Sequence, residues 1–521
     1  MEKRALIAIA LSFLLLFLYQ YFFIKPEPPQ IQKKAEVVKK EEPAPVKPVE
    51  LPVPKKTPAE EKEIKVETEF YSAIFTTRGG TLKYYEIKKY KDKDGKNVVL
   101  LTGQGLQPPL SIGSKENFDL AGANFSTSGK DVKLDKDKKS DFLAFEYSDS
   151  GSSVRRTYTF YNDDYRIDIK DEVSGLTDYW ITLGTDFGIY ESKDRSAHIG
   201  PVLLKESDRI EFDAKKLKEA KSYSGGLKWI AQEDKYFFAS LVPLTTMEEA
   251  KAWKQNDLPS IAFRSKPVTN NFILYAGPKE YNRLKALNVG LEHIIDFGFF
   301  SVIAVPLFWT LKLFYKFFGN YGWAIVLLTI IIRIPFIPLV NKSQKSMKKL
   351  QELQPRMAEV REKFKKDPQR MQKEIMELYK KYKVNPLGGC LPMILQIPVF
   401  FALYKILLIA IELRGAPFLL WIKDLSAPDT LFGHMPSWLP LIGGFAVGPL
   451  PILMGATMLI QQKMTPTTMD PAQNKMMMLM PIVFTFMFLN FASGLVLYWL
   501  MNNIFSITQQ LYTNRKLKGA S

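Results

Sequence analysis

The sequence predicts a membrane α-helical protein of six transmembrane helices joined to a large antiparallel β-sandwich domain outside the membrane, and three observations carry that expectation. An apolar run of 20 positions opens the chain at residues 5–24. Residues 66–292 alternate apolar and polar side chains with a period of two. From residue 320 onward apolar runs return, divided by a strongly basic segment. The mean hydropathy of −0.09 over 521 residues is therefore an average of unlike parts.

The first run is broken only by Ser12 and Gln20, and at about 1.5 Å per residue it crosses the roughly 30 Å hydrocarbon core. Lys3 and Arg4 precede it, and Tyr19, Tyr21, Phe22 and Phe23 crowd its exit where a small-residue cleavage site would stand. Residues 1–24 thus read as an uncleaved signal anchor with its N-terminus in the cytoplasm. Residues 25–65 hold nine prolines, charges of both signs and no aromatic residue. That composition buries too little apolar area to offset chain entropy and makes a stiff, extended linker. The β domain is expected at 66–293, with strands such as 142–147 and 165–169 separated by turn signals at Arg78-Gly79-Gly80 and Asp94-Gly95. Two packed sheets are expected there, with a helical element near 213–220.

Charge decides the side of each remaining segment. Residues 341–385 carry 14 Lys+Arg against 6 Asp+Glu, a net of +8 that keeps a short segment in the cytoplasm. With the N-terminus inside and the β domain outside, a single crossing fits between that domain and residue 341, and it is read at 320–340. The apolar segment before it is long enough to cross, but Lys312, Lys316 and Pro306 favour an amphipathic helix in the outer interface, at 294–319. Four further spans lie within 386–512, at 390–413, 438–460, 476–489 and 495–510, and leave a short cytoplasmic tail at 513–521. Of the total charge of +17, the cytoplasmic segments contribute +13. The basic segment also has helical spacing: Leu350, Leu353, Met357, Val360 and Phe364, then Met371, Ile375, Leu378 and Tyr382, around Asp367-Pro368. Two helices folding back there make a hairpin whose charge suits ribosomal RNA or acidic lipid.

The residue least expected in its place is Arg333, inside the run Val326 to Pro338 and about 10 Å from the cytoplasmic surface. A charge at that depth costs about 3 kcal/mol on insertion scales unless it is paired or hydrated. The C-terminal spans offer Glu412 as their single acidic candidate, at the opposite end of its helix, whereas Lys405 lies near the outer end of its span and can snorkel outward. Thr329 shares the span of Arg333, and Gln396, Gln461, Asn502 and Asn503 lie at comparable depth, with Tyr498 and Trp499 one turn before the asparagines. These eight residues describe a polar groove open to the cytoplasm and closed outward, with Pro335 and Pro338 freeing carbonyls in its wall. The lone Cys390 excludes an intramolecular disulfide framework, and with His198, His293 and His434 dispersed no metal or other cofactor is expected.

At these residues the chain resembles the YidC/Oxa/Alb family of membrane protein insertases, in its Gram-negative YidC form. The strings that carry the resemblance run from Asn385 to Gln396, Glu412 to Phe418, Trp421 to Ser426, Gln461 to Thr468 and Ser493 to Trp499, with Phe272 to Lys279 in the β domain. Ile334 and Trp499 depart from that pattern, where glycine and tyrosine are frequent. The resemblance implies a periplasmic β-supersandwich-like domain, five of the six spans forming an insertase core in the bacterial inner membrane, and both termini in the cytoplasm. It implies an energy-independent insertase and chaperone in which an arginine at the position of Arg333 attracts acidic residues of a client. The implied partners are nascent membrane proteins, the Sec translocon, the ribosome (through the hairpin at 341–385) and membrane lipids, with no DNA. An intramembrane arginine also suits an anion-selective transporter or channel, but the spans show no internal repeat and no charge ring. No paired-carboxylate motif supports an enzyme.

Overall fold

A computed structural model of the chain describes residues 61–92, 94–190, 196–382, 384, 391–439, 443–465 and 471–518. The expected signal anchor at 1–24, the linker at 25–60 and Cys390 lie outside these residues. The chain divides into two compact units. Of the first, Met1–Pro58 with Met469–Leu479, the described residues are 471–479, the opening turns of one helix. The second, Ala59–Thr468 with Met480–Ser521, contains everything else considered below.

The period-two pattern becomes three hydrogen-bonded sheets of five, five and eight strands, not the two expected. Strand Ser153–Tyr161 shows the cause of each assignment in miniature: Val154, Arg156, Tyr158 and Phe160 are buried and their neighbours are not. Register then fixes the layering. Tyr158 and Phe272 both pair with Ile169, so all three side chains share one face of the eight-stranded sheet. Tyr158 meets Phe75 of one five-stranded sheet and Phe272 meets Tyr179 of the other, at ring-centroid distances of 4.7 and 6.0 Å. The two smaller sheets therefore cover the same face of the larger, which gives a sandwich with a divided second layer. The first strand, Glu63–Glu67, begins before the expected boundary at residue 66 because Ile64 already alternates inward. The helix expected near 213–220 is absent: that stretch holds one turn capped by Asp213, with Leu217 as its sole buried anchor, too little apolar surface to fix a helix.

Helix α1 (Tyr281–Ala286) leads out of the sandwich to α2 (Ser301–Phe318) and α3 (Tyr321–Arg333). A 3-10 turn at Ile334–Phe336, set by Pro335, joins α3 to α4 (Ile337–Glu352). The basic segment continues as α5 (Gln354–Lys363) and α6 (Pro368–Lys381), with Asp367 capping α6 through the Arg370 amide at 3.1 Å. Leu350, Leu353, Met357 and Val384 form the hairpin's own core, joined by Ile375, Leu378 and Tyr382. The expected inward positions Val360, Phe364 and Met371 do not join that cluster, because the first arm starts inside α4 and breaks at Leu353.

The remaining helices are α7 (Leu391–Ile409), α8 (Pro449–Met464), α9 (Pro471–Phe488) and α10 (Ser493–Lys518). Among the described residues two helical stretches, Ser301–Phe318 and Tyr321–Glu352, are long and apolar enough to cross a membrane by length and composition. Within the span expected at 438–460 the helix starts only at Pro449, since residues 432–435 pair with 444–447 around the His434–Ala446 bridge. Helix α10 has the length but carries Asn502, Asn503, Gln509 and Gln510, which lower its hydropathy.

Charged side chains hold the helices to one another and to the sandwich. Asp296, between α1 and α2, pairs with Lys405 of α7 at 3.0 Å, and Lys312 of α2 pairs with Glu412 just past α7 at 3.1 Å. Arg414 packs over the ring of Phe237 in the eight-stranded sheet, 5.4 Å from its centroid.

Candidate functional site

Arg333 is the last residue of α3 and is 8% exposed. Its Nη1 donates to the Asn502 carbonyl at 2.7 Å, to Asn502 Oδ1 at 2.8 Å and to Ser506 Oγ at 2.8 Å; its Nη2 donates to Gln509 Oε1 at 3.1 Å. Every acceptor belongs to α10 and every one is neutral. Among the described residues no carboxylate pairs with Arg333, and Glu412 is engaged by Lys312. A buried guanidinium met only by dipoles keeps its positive charge uncancelled while its hydrogen-bonding need is largely met.

The spacing on α10 explains how one helix does this. Tyr498, Asn502, Ser506, Gln509 and Thr513 recur at intervals of 4, 4, 3 and 4, which places them on one face. Ser506 turns its own proton back to the Asn502 carbonyl at 2.8 Å, leaving its oxygen for Arg333. Gln509 donates from Nε2 to Asn341 Oδ1 at 3.0 Å and to the Ile337 carbonyl at 3.4 Å, and Thr513 donates to the same Asn341 oxygen at 3.2 Å. The stripe thus bridges α3, α10 and α4.

The structure brings together Arg333, Asn502 and, one turn before Asn502, the buried Tyr498. It separates others named from sequence. Asn503 faces α8, donating to Thr457 Oγ1 at 3.1 Å and to the Met454 carbonyl at 3.4 Å, so it joins helices and does not face Arg333. Trp499 sits among Phe400, Phe488 and Phe484, with ring centroids at 5.0, 5.1 and 6.1 Å, an apolar packing role. Thr329 is buried and returns its hydroxyl to the Ile325 carbonyl at 2.7 Å. Gln396 on α7 and Gln461 on α8 are half-buried, and among the described residues their side-chain amides have no hydrogen-bond partner. Ser506, Gln509 and Asn341 were not singled out from sequence; the first two complete the α10 stripe and were legible in its spacing. Among the described residues no group of three or more His, Cys, Asp or Glu could hold a metal.

Comparison with known proteins gives this geometry a context. Residues 313–520 match the family model described as 60Kd inner membrane protein, and residues 63–310 match that of the YidC periplasmic domain. A relative from Pelobacter propionicus, named membrane protein insertase YidC, is 42% identical over 99% of both chains. One of the same name from Geobacter metallireducens is 40% identical over 100% of this chain and 99% of its own. A solved structure of an active YidC insertase with its first transmembrane domain resolved is similar over 98% of this chain and 99% of its own, at 20% identity and a TM-score of 0.38. The chain belongs to the YidC family and is a membrane protein insertase, with an inner-membrane helical part and a periplasmic β domain.

Proposed function

We propose that Arg333 is the client-contacting charge of this insertase, set in a groove that opens to the cytoplasm and is closed outward by the aromatic packing around Trp499. The observation that carries this reading is the neutrality of every Arg333 partner. A carboxylate already in place would quench the charge, whereas carbonyl, amide and hydroxyl dipoles hold it ready for an acidic residue in the exported part of a client. The half-buried amides of Gln396 and Gln461 suit the walls of the same groove. Polar client segments then cross with a lower desolvation cost, and burial of the client's apolar segment in lipid supplies the driving force.

Six crossings with both termini in the cytoplasm fit the charge distribution, with α2 lying in the outer interface. Support for that placement of α2 comes from Asp296, just before it, pairing with Lys405 of α7, from its own Lys312 pairing with Glu412 just past α7, and from exposed Val302, Trp309 and Phe317 for lipid contact. The hairpin of α5 and α6 offers its excess of Lys and Arg to ribosomal RNA or anionic lipid. Chaperone activity and cooperation with the Sec translocon belong to the same reading, which assigns the chain no catalysis.

The test is insertion into vesicles reconstituted with purified protein. Arg333→Ala and Arg333→Glu are expected to lower the insertion rate of clients with acidic exported regions by about tenfold or more. Wild-type rates for either variant would remove Arg333 from the mechanism.

A further inference from the structure

A guanidinium carries five N–H donors: one on Nε and two on each terminal nitrogen. At Arg333 both Nη1 hydrogens are committed to Asn502 and Ser506, and one Nη2 hydrogen goes to Gln509. The Nε hydrogen and the second Nη2 hydrogen have no acceptor among the described residues. Those two donors form one edge of the guanidinium, and Arg156 in the β domain shows that edge in use: its Nε and Nη2 grip the two oxygens of Asp171 at 2.8 and 2.6 Å. Arg333 is therefore held through Nη1 and Nη2, and its Nε side, which together with Nη2 suits a bidentate carboxylate, has no partner among the described residues.

Which edge is presented depends on Gln509, and Gln509 depends on Asn341. A free glutamine amide can turn either its oxygen or its nitrogen toward a neighbour. Here Asn341 Oδ1 and the Ile337 carbonyl both accept from Nε2, so the oxygen is the atom left for Arg333. Both acceptors belong to α4, the helix that continues into the basic hairpin. We propose that Gln509, oriented by Asn341, is a positioning residue that fixes Arg333 with its Nε/Nη2 edge toward an arriving client carboxylate. The inference rests on the reading of Arg333 as the client-contacting charge.

The experiment compares two clients in vesicles carrying full-length protein, one with acidic residues in its exported region and one with those residues replaced by neutral ones. Gln509→Glu puts a resident carboxylate beside the guanidinium and is expected to lower the acidic-client rate by about tenfold while the neutral client stays within about twofold of wild type. Asn341→Leu, which leaves the amide free to turn, is expected to shift the acidic-to-neutral rate ratio in the same direction by about threefold. A merely structural role would depress both clients together, and equal depression overturns the proposal. So does a wild-type ratio in both variants when Arg333→Ala abolishes acidic-client insertion. If Arg333→Ala leaves that insertion intact, the underlying reading of Arg333 fails instead.

Discussion

Arg156 in the β domain and Arg333 in the helical core are both buried, at 0% and 8% exposure, yet they are satisfied by opposite means. Arg156 lies opposite Asp171 across two neighbouring strands, takes its carboxylate on two nitrogens, and donates to the Leu110 carbonyl at 2.6 Å, while the Tyr179 hydroxyl closes on Asp171. Burial works against its charge, but the Asp171 carboxylate more than compensates and holds its pKa well above the usual arginine value. Arg333 has no such counter-charge among the described residues and is held by four neutral oxygens on one helix. The first arrangement is complete in itself and serves the fold. The second leaves a unit of charge uncancelled, as the proposed contact with an acidic client requires.

The largest expected effect breaks the first member of this pair. Asp171→Ala strands a fully buried guanidinium and should cost the β domain about 3–5 kcal/mol. Chemical denaturation of the detergent-solubilised chain, read by amide exchange across Ser153–Tyr161, measures it. A loss below about 1 kcal/mol would mean the ion pair is not what satisfies Arg156. Replacing both partners, Arg156→Met with Asp171→Leu, should recover most of that loss, because apolar residues of similar volume carry no desolvation cost.

Arg333→Met sharpens the contrast. Its effect on stability should stay within about 1 kcal/mol, because no opposite charge is left behind and the α10 side chains retain one another and water as partners. Acidic-client insertion should nevertheless collapse. Parallel melting and insertion measurements check this, and a large loss of stability would make Arg333 a structural residue like Arg156.

The smallest effect concerns the joint between the two regions. Burial alone would raise the Asp296 carboxyl, but Lys405 and Arg209 overcome it and bring its pKa down to about 2. A lowered folded-state pKa stabilises the protein above the ordinary carboxyl range and loses that contribution as pH falls from about 4 to about 2. Solvent screening of a half-exposed pair holds the gain to under about 1 kcal/mol. Asp296→Asn should therefore lower stability slightly at pH 7 and flatten its dependence on pH between 4 and 2; an unchanged acid limb would show that the pair contributes nothing.

Much of this was legible in the sequence because a single element's periodicity carried it. The inward alternation of strand Ser153–Tyr161, the turn at Asp367-Pro368 and the lone charge at Arg333 all follow from local pattern. What could not be read depended on two elements at once. The division of one sandwich layer into two sheets rests on Phe75 and Tyr179 meeting Tyr158 and Phe272, contacts set by chain crossings. Asn502 and Asn503 are adjacent in sequence, yet one faces Arg333 and the other faces α8, since helix rotation is fixed by neighbours and not by composition. Asn341 orients Gln509 from a different helix, so no stripe on α10 could reveal it. The segment 438–460 reads as a single span, but Gly443 and Gly444 permit a turn near its start, with Gly444 at a φ of +80°.

The ties formed by Asp296–Lys405, Lys312–Glu412 and Arg414 on Phe237 have a mechanical consequence. Through Arg414 and the segment just past α7 they join the sandwich, by an unbroken run of contacts, to the helix whose Phe400 packs on Trp499.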